Sequence, residues 1–138
     1  MGKKVLLLSA SPRKNGNSSA LADAFLRGAA EAGNETEKIE LSGKQIGFCR
    51  GCLACHDTSR CVIRDDADEI AQKMRRADVI AFATPVYYYC VSGQLKTMLD
   101  RANPLYGSDY AFRSVYLLLT AADDAPSAAD GSVKAVQG

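Results

Sequence analysis

Much is absent from this chain of 138 residues. No apolar run approaches the ~20 residues that a membrane-spanning helix needs. The N-terminus passes from Lys3-Lys4 through only four apolar residues, Val5-Leu6-Leu7-Leu8, into a polar stretch, which does not read as a secretory signal. An excess of charge of one sign is missing too. The formal net charge is +1, and no basic cluster is long enough to suggest a nucleic-acid partner. There are no repeats, low-complexity tracts or linkers, so a single domain over residues 1–138 is expected. Hydrophobic content of 47% beside 24% charged residues can build a core at this length without staples. The expectation is a cytoplasmic globular protein. Its five cysteines then read as ligands or reactive thiols rather than disulfides.

What is present alternates. Lys3–Leu8 reads as a buried strand and Ala20–Ala32 as a helix with Leu21, Ala22, Phe25, Leu26, Ala29 and Ala30 on one face. Gly33-Asn34 stops it. Glu35–Leu41 suggests a second strand nearer a sheet edge. Ser42–Arg64 is loop-rich. Asp65-Asp66 open a helix with Ile70, Ala71, Met74 and Ala77 as its apolar face, acidic where the helix dipole favours it. Asp78–Ala83 is a third strand, followed by a loop, Thr84–Cys90. Leu95, Met98, Leu99 and Ala102 mark a third helix, ended by Asn103-Pro104. Val115–Leu119 is a fourth strand, Thr120–Ala125 a loop, and Ser127–Gln137 the start of a fourth helix. Such alternation predicts an α/β fold with a doubly wound parallel sheet. Ligands of these sheets lie beyond the carboxyl ends of the strands. The loops Ser9–Ser19, Thr84–Cys90 and Thr120–Ala125 all fall there.

The first loop, Ser9-Ala10-Ser11-Pro12-Arg13-Lys14-Asn15-Gly16-Asn17-Ser18-Ser19, joins a strand to a helix N-terminus. Unpaired N–H groups and the positive end of the helix dipole suit a phosphate there. Arg13 adds a planar donor fork, and Ser11, Asn17, Ser18 and Ser19 add neutral donors. The alternative is an ordinary cap, with Asn17 or Ser18 capping the helix and Arg13 solvated. The loop matches neither G-x-G-x-x-G nor G-x-x-x-x-G-K-[ST]. In the second loop, Tyr87-Tyr88-Tyr89 offer flat faces and hydroxyls to an aromatic ligand, or pack against core or a neighbouring subunit.

Cys49, Cys52, Cys55 and Cys61 read C-x2-C-x2-C-x5-C. Four thiolates so spaced suit a [4Fe–4S] cluster or a tetrahedral zinc, or stand as uncoordinated, redox-labile thiols. His56, the single histidine, reads as a solvated loop residue, and Cys90 as a packing residue.

Taken together, Ser9 to Ser18, Thr84-Pro85-Val86-Tyr87, Gly93-Gln94-Leu95-Lys96 and Asp100-Arg101 resemble the flavodoxin-like NAD(P)H-dependent FMN reductase family over nearly the whole chain. The resemblance implies a sheet of order 2-1-3-4-5. It implies an FMN phosphate on Ser11, Arg13, Asn17, Ser18 and Ser19. Pro85, Val86, Tyr87, Tyr88 and Tyr89 would line the flavin ring, and Thr120 and Ala121 would belong to a third loop over it. Family members continue through a further strand and helix, whereas this chain stops at Gly138. The domain is therefore expected to be C-terminally incomplete, to borrow an edge from a partner, or to leave its fourth strand exposed. The cysteine spacing resembles the iron–sulfur flavoprotein branch of the family. The activity implied is electron transfer from NAD(P)H through FMN to a quinone, flavin, azo or nitro compound or metal centre. The alternative is an electron carrier that exchanges with ferredoxin. Homodimers or homotetramers are implied. No side chain is needed as nucleophile or base, because the cofactor carries the chemistry.

Overall fold

A computed structural model describes residues 2–137, so Met1 and Gly138, the ends of the expected domain, lie outside the described residues. Val5 to Leu8 lie in the first strand, β1 (Lys4–Ser9), and are buried on both faces. This is what a continuous apolar run in a parallel sheet requires. In chain order follow α1 (Asn17–Glu31), β2 (Glu35–Glu40), a one-turn α2 (Cys55–Thr58), α3 (Asp66–Arg76) and β3 (Val79–Tyr87). Then come β4 (Cys90–Val91), α4 (Gly93–Asp100), β5 (Ser114–Thr120) and α5 (Asp130–Gln137). Short 3-10 turns cover Asn103–Leu105 and Pro126–Ala129.

β1 pairs in parallel with β2 on one side and β3 on the other. β5 pairs in parallel with the far side of β3. The parallel order is thus β2-β1-β3-β5, the expected 2-1-3-4 of the four main strands. Among the described residues β5 pairs with β3 alone, and its Val115 and Tyr116 are exposed, so it forms an open sheet edge.

Alternation along the strands sorts the core into two layers. Leu6, Leu8, Ile80 and Phe82 pack with Ile70, Ala71 and Met74 of α3 and with Leu95 and Met98 of α4. Leu7, Ala81 and Ala83 face Ala22, Phe25 and Leu26 of α1. The small Ala81 and Ala83 let α1 sit close to the sheet.

Several local expectations change. α1 starts at Asn17, three residues before Ala20, because Gly16 and not Asn17 or Ser18 takes the cap position. Leu21 and Ala30, expected on the apolar face, are exposed, since the contact with the sheet runs through Ala22, Phe25 and Leu26. Thr84–Tyr87 is strand rather than loop. β3 runs on to pair with β4 in an antiparallel hairpin, Val86 opposite Val91 and Tyr87 opposite Cys90. Among the described residues no helix is long and apolar enough to cross a membrane.

α5 docks on that hairpin through a glycine. A Cβ built on Gly131 would stand 1.9 Å from the Tyr89 carbonyl oxygen. Ala135 and Val136 continue the contact against the larger core layer. Gly131→Ala is expected to destabilise the chain by about 1–3 kcal/mol through overpacking. Hydrogen exchange should show faster exchange confined to residues 130–137 and to the hairpin tip.

Candidate functional site

The sheet register brings the three loops together. Ser9 stands opposite Ala83, and Pro85 opposite Thr120. The Ala10 N–H donates to the Ala83 carbonyl at 2.8 Å. The carboxyl ends of β1, β3 and β5 therefore lie side by side, and the segments that follow them start from neighbouring positions.

The first loop is shaped by its own polar groups. Ser11 Oγ accepts from the Arg13 N–H at 3.1 Å and donates to the Arg13 carbonyl at 3.2 Å. Asn15 takes a left-handed φ of 54°, which asparagine tolerates, and turns the chain into Gly16. No side chain caps α1. Its first N–H groups, on Asn17, Ser18 and Ser19, lack intrahelical acceptors by construction. The capping alternative for Asn17 and Ser18 is thereby overturned. Arg13 and Asn17 are exposed, whereas Ser18 and Ser19 are buried. The Ser19 hydroxyl accepts from Lys38 Nζ of β2 at 3.4 Å.

Two buried hydroxyls tie this loop to the next. Ser92 Oγ donates to the Ala10 carbonyl at 2.9 Å and accepts from the Leu95 N–H at 3.3 Å, so it also caps α4. The Ser92 N–H donates to Thr84 Oγ1 at 3.0 Å, and Thr84 Oγ1 donates to the Pro85 carbonyl at 2.8 Å. Both residues are fully buried. Nothing local in the sequence marks Ser92 as the residue that ties two loops together. Serine at a cap position was the available signal, but its bond to residue 10 follows from the packing.

Pro85 and Val86 are half-buried at the end of β3. Tyr87, Tyr88 and Tyr89 are 43%, 94% and 77% exposed. Tyr88 (φ 45°) and Tyr89 (φ 64°) are the two central residues of the hairpin turn. Both are left-handed, where asparagine and glycine are the favoured types. Each tyrosine there costs about 1–2 kcal/mol. The two rings meet edge to face at 5.7 Å. Thr120 is half-buried at the end of β5, and Ala121 is exposed beside it.

The cysteine loop lies against the first turn of α3 and the end of α4. Cys49, Cys52, Cys55 and Cys61 all line one cavity of about 120 Å³, closed by Leu53, Ile63, Arg101 and Pro104. Backbone N–H groups of Gly51 and Ile63 donate to Cys49 and Cys61 sulfur, each at 3.4 Å. Asn103 Nδ2 donates to Cys55 sulfur at 3.3 Å. Cys55 is buried, Cys61 half-buried, and Cys49 and Cys52 exposed; thiols with N–H donors around an apolar cavity are the donor set an iron–sulfur group would use. Among the described residues no three His, Cys, Asp or Glu side chains, the four cysteines included, are gathered closely enough to hold a metal ion. His56 is exposed, and Cys90 packs between the hairpin and the core.

The loop is anchored by the first turn of α3. Asp65 accepts from the N–H groups of Ala67 and Gly47, and Asp66 from that of Gln45. Asp68 receives a guanidinium fork from Arg60 and a further bond from Arg64. Arg101, whose side chain is 1% exposed, pairs with both Asp65 oxygens at 2.8 and 2.9 Å. It also donates to the carbonyls of Gly47 and Ile63. Burial pushes the Asp65 carboxyl up, but Arg101 and the Gly47 N–H outweigh it, and it sits below its ordinary value. Arg60, against partial burial, holds Asp68 below its ordinary value too.

Comparison with known proteins places the chain. The model of the NADPH-dependent FMN reductase family matches residues 3–134, and the chain belongs to that family. It is 46% identical over 102 residues to an iron–sulfur flavoprotein of Methanocaldococcus jannaschii, covering 74% of this chain and 53% of that one. It is 40% identical over 111 residues to an iron–sulfur flavoprotein of Methanosarcina thermophila, covering 80% and 58%. The chain thus spans about half the length of the curated relatives it matches. An NAD(P)H:quinone oxidoreductase from Methanothermobacter marburgensis shares the fold, with a TM-score of 0.79 at 21% identity, over 99% of this chain and 76% of that one. An azoreductase of Bacillus anthracis does so at 0.73 and 18%, over 98% and 78%. The flavodoxin-like fold expected from the sequence is the one found.

Two outcomes follow from these contacts. Ser92→Ala leaves the Ala10 carbonyl and the α4 N-terminus without their partner. It is expected to cost about 1–3 kcal/mol in urea unfolding. The pH dependence comes from Asp65 and Asp68. Their carboxyls are lowered in the fold, so the stability they add is complete above the ordinary carboxylate value of 3.8 and is lost as pH falls through their folded values. Limited pepsin digestion should cut residues 42–64 progressively faster below about pH 4, and Asp68→Asn should flatten that dependence.

Proposed function

We propose that this chain is an FMN-dependent oxidoreductase that carries a [4Fe–4S] cluster on Cys49, Cys52, Cys55 and Cys61 and passes electrons between flavin and cluster. The observation that carries the reading is the single apolar cavity walled by those four cysteines, in a chain of this family. The names of its curated relatives support it. FMN supplies two-electron exchange with a nicotinamide and the cluster single-electron exchange with an acceptor.

The residues divide the task. The Arg13 fork, the Ser11 hydroxyl and the uncapped N–H groups of Asn17, Ser18 and Ser19 bind the phosphate. Pro85, Val86 and Tyr87 form a wall for the flavin ring, with Tyr88 and Tyr89 at its outer edge. Thr120 and Ala121 close the third side. Ser92 and Thr84 join the first two loops to each other.

A second reading is a reductase without a cluster, passing electrons from NAD(P)H through FMN to a quinone, azo compound or similar small acceptor. The match to an NADPH-dependent reductase family over residues 3–134 favours it. Ferredoxin belongs to the first reading as a redox partner.

Purification without oxygen, followed by the visible spectrum and metal analysis, separates the two. The first reading expects flavin bands, a broad absorbance shoulder and about four irons per chain, with the iron lost in Cys55→Ser. Flavin bands without iron would leave the second. Arg13→Ala should weaken FMN binding by about tenfold to a hundredfold, the loss of a charged hydrogen bond. Failure of the unmodified chain to bind FMN would sink both readings.

A further inference from the structure

Arg101 is a buried guanidinium with one donor unaccounted for. Nη1 serves the Gly47 carbonyl and one Asp65 oxygen, and Nη2 serves the Ile63 carbonyl and the other. Nε–H is buried and has no acceptor among the described residues. Folded chains rarely leave such a donor unpaired. Arg101 lines the same cavity as the four cysteines. Arg50 lines the cavity too but is exposed, where water screens its charge. A buried charge acts through a lower dielectric.

An iron–sulfur cluster on four thiolates is a net anion and becomes more negative on reduction. Hydrogen bonds to its sulfurs and nearby charge are among the levers that set its potential. We propose that Arg101 is a positioning residue for that group: its Nε–H donates to a sulfur of the cluster, and its charge favours the reduced form. The inference rests on the reading of Cys49, Cys52, Cys55 and Cys61 as the ligand set. It adds to that reading a residue outside the cysteine spacing. The same guanidinium grips Gly47 and Ile63, which flank Cys49 and Cys61, so it also holds the outer two ligands at the cavity.

The test uses the whole chain, purified without oxygen and labelled with 15N at arginine. Pulsed EPR of the reduced protein should show a weakly coupled arginine nitrogen. The coupling should persist in Arg50→Lys and vanish in Arg101→Lys. In redox titrations the cluster midpoint should stay near that of the unmodified protein in Arg101→Lys. It should move to more negative potential in Arg101→Gln, which should also lose iron to a chelator several-fold faster. Arg101→Gln breaks a buried ion pair and can unfold the loop, so the coupling in the unmodified protein and the lysine variant decide. A cluster signal without arginine coupling, or coupling that survives Arg101→Lys, overturns the proposal while leaving the ligand reading intact. No cluster signal and no iron in the unmodified protein overturns both.

Discussion

Ser92 Oγ reaches the Ala10 carbonyl at 2.9 Å, across 82 residues of chain, and the arrangement of the loops depends on that bond. Where strands end, backbone groups lose their sheet partners, and a buried one must find another. Ala10 finds the serine. The same hydroxyl receives the Leu95 N–H, and the same residue's N–H goes to Thr84. One residue thus connects the end of β1, the end of β3 and the start of α4. The helix N-terminus of α1, freed of any side-chain cap, is presented to whatever lies between those ends.

A second constraint holds the cysteine loop, which has almost no regular structure of its own beyond one turn at Cys55–Thr58. The backbone groups at its start, on Gln45 and Gly47, are satisfied by the first turn of α3 instead. Asp65, Asp66 and Asp68 do what a capping turn does and more, because each takes a donor from the loop. Arg101 then closes the arrangement from α4. Removing one member of a buried pair such as Asp65–Arg101 costs about 3–5 kcal/mol, since the other is left charged and unmatched. The loop is therefore rigid at its two flanks, residues 45–47 and 60–65, and the cysteines stand between.

α4 links the two regions. Ser92 at its start faces the loops of the sheet, and Arg101 at its end faces the cysteine cavity. At about 1.5 Å per residue the helix holds these ends roughly 13 Å apart. A cofactor at either end would thus rest on the same short rigid element, whose apolar side, Leu95 and Met98, is sealed in the core. The hairpin beside it carries the opposite character. Tyr88 and Tyr89 pay a backbone cost with rings left in solvent, so packing within the chain does not explain them.

The alternation of apolar runs and amphipathic segments was enough to assign the parallel α/β sheet, because burial on both faces leaves a continuous run such as Val5–Leu8 few other places to go. The loops at the strand ends were legible for the same reason, and so was the cysteine spacing, which is local. The limits of local reading are equally concrete. Gly16 rather than Asn17 caps α1, since the path of the incoming chain decides which residue stands at the cap. The hairpin at Tyr87–Cys90 emerges only when Val91 pairs with Val86. The acidic turn at 65–68 looked like a response to the helix dipole, yet its carboxylates anchor a loop. Arg101 carried no local mark of burial at all. By itself the sequence determined the four parallel strands, the main helices, their order and the segments at the strand ends, all of which follow from patterns a few residues long. Tertiary structure alone decided which hydroxyl joins residue 10 to residue 92 and which guanidinium enters the cysteine cavity. Those contacts depend on desolvation and distance between segments that the chain order keeps far apart.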